Sequence, residues 1–261
     1  YTQVDGTKIN YELKGRETGR PVVFLHGLGS SGRDWELQIP AFEGEYRIVL
    51  IDMRGHGKSD KPPGPYSVAQ FATDTVAVLD HLGIKSADFV GLSMGGMIAF
   101  QLAVDYPERV RSMVIANSGP ALVPQTLKQR FAVWMRFFIV RAMGMRKMGE
   151  TLAPRLFTDA AQELERQTFI ERWAENDRRA YLDAMRALIG WSVEERISAI
   201  KAPTLILASE QDYTPVSAKA AYVAKMSTAR LKVIENAHHA VAVERPEAFN
   251  NTVLEFLRAG A

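Results

Sequence analysis

A chain of 261 residues, 47% of them hydrophobic, can bury a full core without covalent staples. It contains no cysteine, which excludes disulfides, thiolate metal sites and a cysteine nucleophile. A formal net charge of +2 gives no field that argues for nucleic acid, and the apolar stretches are too short, or too interrupted by arginine, to span a bilayer.

The opening Tyr1 to Gly6 has no basic stretch leading into an apolar one, so a cytoplasmic protein is expected. After the Asp5-Gly6 turn signal, Lys8 to Lys14 alternates apolar and polar residues and predicts a leading antiparallel hairpin. Four short, largely apolar runs follow at Pro21 to Leu25, Tyr46 to Ile51, Ala87 to Val90 and Val110 to Ile115. Helix-length segments separate them at Gly32 to Phe42, Ser67 to Leu82, with Ser67 as N-cap, and Met94 to Tyr106. Buried strands alternating with crossover helices predict an α/β fold with a mostly parallel, doubly wound sheet of about eight strands.

The rhythm stops after Asn117-Ser118-Gly119-Pro120. About 80 residues of helical periodicity follow, rich in aromatic residues and Met and interleaved with arginine and lysine. It resumes with a strand at Thr204 to Ala208, a helix at Val216 to Met226, a strand at Leu231 to Ile234 and a closing helix at Pro246 to Leu257. The expected organisation is a core of residues 1–119 and 197–261 carrying a helical cap of residues 120–196, inserted after the sixth strand. The cap would cover the ends of the strands, with Trp134, Phe138 and Trp191 as candidate pocket residues. Its basic residues read as a solvated helix face, and membrane contact is not expected; a homodimer is compatible with the sequence.

Gly91-Leu92-Ser93-Met94-Gly95 lies where an apolar strand gives way to a helix. A serine at such a turn projects its hydroxyl out of the sheet, and the flanking glycines remove Cβ atoms that would clash. The pattern alone is weak, since three fixed residues at roughly 7% each occur by chance in about one such chain in ten. A serine nucleophile also needs a general base and an acid to orient it. Asp212, after the Thr204 strand, is the preferred acid over Glu210. Position removes His26, His56 and His81 as bases, the first two being expected to shape loops. His238 and His239 both remain, since either could reach Ser93 from the loop after the Leu231 strand. The resulting chain order is Ser, Asp, His.

With His26-Gly27-Leu28-Gly29, Asp52 to Ser59, the Ser93 elbow, Asp212, and His239 followed by Glu244-Arg245-Pro246, the chain resembles the α/β-hydrolases along most of its length. The resemblance selects His239 by its spacing to Glu244, and puts His238 where the family usually has glycine. It implies an oxyanion hole from the backbone N–H groups of Leu28 and Met94, and a turn organised by Arg54-Gly55-His56-Gly57, which gives Asp52 and Arg54 a structural role. It also implies an esterase that needs no metal or organic cofactor and acts on a small-molecule ester or lactone. Pro62 to Tyr66 together with Gly91 to Met97 is similar to 3-oxoadipate enol-lactonases. Alternatives are a monoacylglycerol-type lipase and a ligand-binding receptor on a hydrolase fold.

Overall fold

The computed structural model describes residues 1–260. Strands β1 (Thr2–Val4) and β2 (Thr7–Ile9) form a separate two-stranded hairpin across Asp5 and Gly6, both at positive φ. The hairpin expected over Lys8 to Lys14 is therefore divided at Asn10. Strand β3 (Tyr11–Gly15) pairs antiparallel with the strand of Tyr46 to Ile51.

The main sheet continues with β4 (Arg20–Leu25), β5 (Tyr46–Ile51), β6 (Ala87–Leu92), β7 (Val110–Ala116), β8 (Thr204–Ser209) and β9 (Ala229–Ile234). Its spatial order is β3-β5-β4-β6-β7-β8-β9, seven strands where about eight were expected, and every pair beyond β3-β5 is parallel. Alternate side chains enter opposite layers: Val23, Leu25, Val49 and Ile51 join one apolar cluster, and Val22, Phe24, Ile48 and Leu50 join the other. Strands buried on both faces have to read as continuous apolar runs, as these do.

The segment expected as one helix over Gly32 to Phe42 is two pieces, a 3-10 turn at Gly32–Trp35 and helix α1 (Ile39–Phe42). Pro40 has no N–H to continue a helical ladder and fits only in a first turn. Helix α2 (Val68–His81) begins at Ser67, whose hydroxyl accepts the Gln70 N–H at 3.0 Å, and α3 (Met94–Asp105) leaves the end of β6. Between β7 and β8 come α4 (Leu127–Leu156), α5 (Glu163–Ala174) and α6 (Arg178–Leu188). Helix α4 is broken at Gly144, where φ is 85° and the direction of the chain changes. Ala121 and Ser192 pair in an isolated bridge at the base of this cap. Its interior is a third apolar cluster containing Val140, Met148, Trp173, Tyr181 and Met185. Helices α7 (Val216–Val223), α8 (Val241–Glu244) and α9 (Pro246–Ala259) complete the chain.

Candidate active site

The parallel strands end together under the cap, and Ser93, Asp212 and His239 lie there. Ser93 sits between β6 and α3 with φ 54° and ψ −113°, a conformation a non-glycine residue rarely adopts. The turn is held by its neighbours. The Ser93 N–H donates to the Ala116 carbonyl at 3.0 Å, and the Ser93 carbonyl accepts from the Gly96 N–H at 2.9 Å and the Ser118 hydroxyl at 2.7 Å. At Gly95 an added Cβ would run into the Leu25 carbonyl, and at Gly91 it would meet the backbone of Gly95. The two glycines are thus required by close approach between β6, α3 and β4.

Asp212 follows β8, and its Oδ1 lies 2.5 Å from Nδ1 of His239. Because the carboxylate accepts, Nδ1 carries the proton and Nε2 is left as the basic nitrogen. Glu210 points elsewhere, its carboxylate accepting the Asn236 N–H at 2.9 Å. The neighbouring histidine has a different partner: His238 Nδ1 lies 2.7 Å from Glu244 Oε1, and the His238 N–H donates to Glu244 Oε2 at 2.5 Å. The two histidines therefore face two acids. Residue 238 is also absent from the positive-φ positions, so nothing there demands the usual glycine.

Three positioning groups escaped the sequence reading. Asn117, at φ 45°, donates from its amide to Ser209 Oγ at 2.7 Å and to the carbonyls of His238 and His239 at 3.1 and 3.0 Å. Its own oxygen accepts the Ser209 N–H at 2.8 Å, so one side chain ties the ends of β7 and β8 to the histidine loop. Lys219, with 0% exposure, donates from Nζ to Asp212 Oδ2 at 2.6 Å and to the Thr214 carbonyl at 2.7 Å. Burial by itself would raise the Asp212 carboxyl. The hydrogen bonds and charges of His239 and Lys219 outweigh it and hold the group below the usual carboxylate range. The third is the Tyr213 ring, stacked on the His239 imidazole with centroids 4.5 Å apart.

Leu28 lies in the loop after β4 and borders the same cavity as Ser93 and His239. Met94 is the first residue of α3, so its N–H has no acceptor within the helix. The Leu28 loop is braced by His26, whose Nε2 accepts the Met53 N–H at 3.0 Å and whose Nδ1 contacts the Gly27 carbonyl at 2.8 Å. His56 packs 5.1 Å from the His26 ring, and burial lowers its pKa to about 3. Asp52 accepts the Gly32 and Lys58 N–H groups, each at 2.8 Å, and shapes the turn as expected. Arg54, however, turns away from it to a bidentate contact with the buried Asp74 at 2.5 Å. Among the described residues, no group of three or more His, Asp and Glu side chains could hold a metal ion.

The sequence profile of the alpha/beta hydrolase fold matches residues 20–151, just over half of the chain. The chain belongs to the α/β-hydrolase family. Among its curated relatives is 3-oxoadipate enol-lactonase 2 of Acinetobacter baylyi, 32% identical over 250 residues and matched over 94% of this chain and 91% of that one. A putative carbamate hydrolase RutD of Azorhizobium caulinodans is 28% identical, with 98% and 97% covered. The crystal structure of the enol-lactonase from Burkholderia xenovorans LB400 superposes with a TM-score of 0.91 at 26% identity, covering 99% of both chains. This α/β-hydrolase is thus a hydrolase by kinship, and its similarity to enol-lactonases spans the cap as well as the core.

Between cap and core of this α/β-hydrolase lies a cavity of about 760 Å³ bordered by Ser93 and His239. The three aromatic residues expected to line it do not. Trp134 and Phe138 are on the outer side of α4 at 55% and 47% exposure, while Trp191 packs on the core and donates its indole N–H to Gln101 at 2.6 Å. The wall is built instead from residues such as Val133, Leu156, Phe157, Met185, Leu188 and Val243. Arg136 also borders it, its Nε donating to the Tyr181 hydroxyl at 2.6 Å and its guanidinium lying over the Trp173 and Tyr181 rings.

Proposed function

We propose that the protein hydrolyses carboxylic esters of small to medium apolar acyl groups through an acyl-enzyme on Ser93. The observation that carries this reading is the 2.5 Å contact between Asp212 and His239 Nδ1, beside a cavity that Ser93 and His239 share. In this reading Ser93 Oγ attacks the ester carbonyl while His239 Nε2 takes the hydroxyl proton. Asp212 stabilises the resulting imidazolium, and the N–H groups of Leu28 and Met94 receive the tetrahedral oxyanion. Such a donor contributes about 3 kcal/mol to the transition state. Collapse expels the alcohol, protonated by His239, and a water activated by the same nitrogen releases the acid. The mostly apolar wall and a volume of about 760 Å³ suit an acyl chain of moderate size.

A lactone is an ester whose alcohol stays tethered after ring opening, so the same steps open it. The enol-lactonase relatives favour this as the second reading. A panel of p-nitrophenyl esters of increasing acyl length, five-membered lactones and carbamates, run on wild type and Ser93→Ala, tests both. Multiple turnovers of an ester or lactone, lost in Ser93→Ala, are expected. Turnover of carbamates alone, or an unaffected Ser93→Ala, overturns the reading.

A further inference from the structure

The outer face of α4 carries a stripe that the rest of the chain leaves uncovered. Leu127, Phe131, Trp134 and Phe138 are 83%, 61%, 55% and 47% exposed. Their spacing of four, three and four residues puts them on one side of the helix. The rings stack on each other, Phe131 on Trp134 with centroids 5.7 Å apart and Trp134 on Phe138 at 5.5 Å. The opposite side of the helix, with Ala132, Val133 and Arg136, borders the cavity. Each face of this helix thus has its own apolar surface, and only the inner one is occupied by the fold. A contiguous exposed stripe of this kind marks an interaction surface.

Charge identifies what fits it. No aspartate or glutamate occurs from Arg109 through Gly149. Lys128, Arg130 and Arg141 are exposed beside the stripe. Arg130 contacts the Pro124 carbonyl and Arg141 the Phe137 ring, whereas Arg146 and Lys147, further along, are neutralised by Glu171 and Glu150. A second copy docked by two-fold symmetry would bring these three cations against themselves, which repels. An anionic lipid surface receives both parts, the aromatic rings entering the headgroup boundary and the long basic side chains reaching the phosphates. Among the described residues no helix is long and apolar enough to cross a membrane, and this face would attach peripherally. Leu122 and Leu164 are exposed and also border the cavity, giving its mouth an apolar rim.

We propose that the outer face of α4 docks the protein on anionic lipid surfaces, with Phe131, Trp134 and Phe138 inserted and Lys128, Arg130 and Arg141 on the headgroups. This reverses the expectation from sequence that the basic residues merely solvate a helix, and it does not depend on the ester chemistry. The test is co-sedimentation of the whole protein with vesicles of phosphatidylglycerol and phosphatidylcholine, and with vesicles of phosphatidylcholine alone. Wild type is expected to pellet with the anionic vesicles, to be released by salt, and to stay in the supernatant with the neutral ones. Phe131→Ser/Trp134→Ser/Phe138→Ser should lose pelleting while keeping the wild-type melting temperature and rate on a soluble ester. Lys128→Gln, Arg130→Gln and Arg141→Gln should each weaken partition about fivefold. Absence of wild-type binding, or undiminished pelleting of the triple aromatic variant, overturns the proposal. So does concentration-dependent dimerisation abolished by the triple variant without any vesicle binding, which would assign the face to a second copy.

Discussion

The sheet edge and the cap enclose the same cavity, but they are held in different ways. At the edge, Asp212, His239 and the Ser93 backbone are each fixed by hydrogen bonds from neighbouring elements, through Lys219 of α7 and through Asn117 and Ser118 after β7. The cap is held by apolar packing of Val140, Trp173 and Met185 and by exposed ion pairs such as Arg172 with Glu36 at 2.5 Å. Exposed pairs contribute little, and apolar packing tolerates exchange of similar volumes. The lesson is a division between a rigid chemical edge and a replaceable wall. Substitutions at the edge should lower turnover for every substrate, while substitutions in the cap should redistribute preference among substrates.

The largest effects should fall on the edge. His239→Ala is expected to lower kcat by about 10⁶-fold on any ester, with His238→Ala within about tenfold of wild type. Steady-state kinetics on one ester checks both, and a reversed pair would break the assignment of acids to histidines. Next comes Lys219→Met. Breaking a buried pair by removing one partner destabilises by about 3 kcal/mol, read by urea unfolding. It also removes one of the charges holding Asp212 below the usual carboxylate range. The Asp212 pKa then rises, and activity is lost at a higher pH on acidification. A purely structural lysine would change stability and leave the acid limb of the profile in place.

A smaller effect concerns the histidines that brace the Leu28 loop. His56 is neutral in the fold because burial lowers its pKa to about 3, whereas the unfolded chain takes up a proton below the ordinary histidine value of about 6.5. Stability contributed by the neutral ring is full above about 6.5 and declines on acidification toward about 3, by at most about 1.4 kcal/mol per pH unit. Melting temperatures across this range should fall less steeply for His56→Gln than for wild type. The smallest effect belongs to the cap. Met185→Ala enlarges the wall and should shift preference toward longer acyl chains by about tenfold in kcat/KM, with kcat on the best substrate nearly unchanged. A uniform loss across the acyl series would erase the proposed division.

What the sequence made legible follows the same boundary. The succession of strands along the chain and the loops carrying Ser93, Asp212 and the His238-His239 pair were readable because each follows a strand and is marked by turn residues, whereas the choice of His239 over His238 rested on the family resemblance. Lys219 was not, since a lysine early in a helix after Thr214-Pro215 reads as a solvated side chain until its burial is known. Asn117 looked like a loop residue, because nothing local reveals that its amide reaches loops about 90 and 120 positions away. The pocket aromatics were misplaced for a different reason. Helix α4 is apolar on both sides, with Val133 inward and Trp134 outward, so periodicity cannot say which face meets the cavity.

The central claim is covalent chemistry at Ser93, and trapping the acyl-enzyme tests it most directly. Wild type and Ser93→Ala would be mixed with a p-nitrophenyl ester, quenched in acid within the first turnover, digested and examined by mass spectrometry. The expected result is the acyl mass on the peptide containing Ser93 in wild type and on no peptide of Ser93→Ala. An acyl group on another residue, or Ser93→Ala turning over at the wild-type rate, would contradict it.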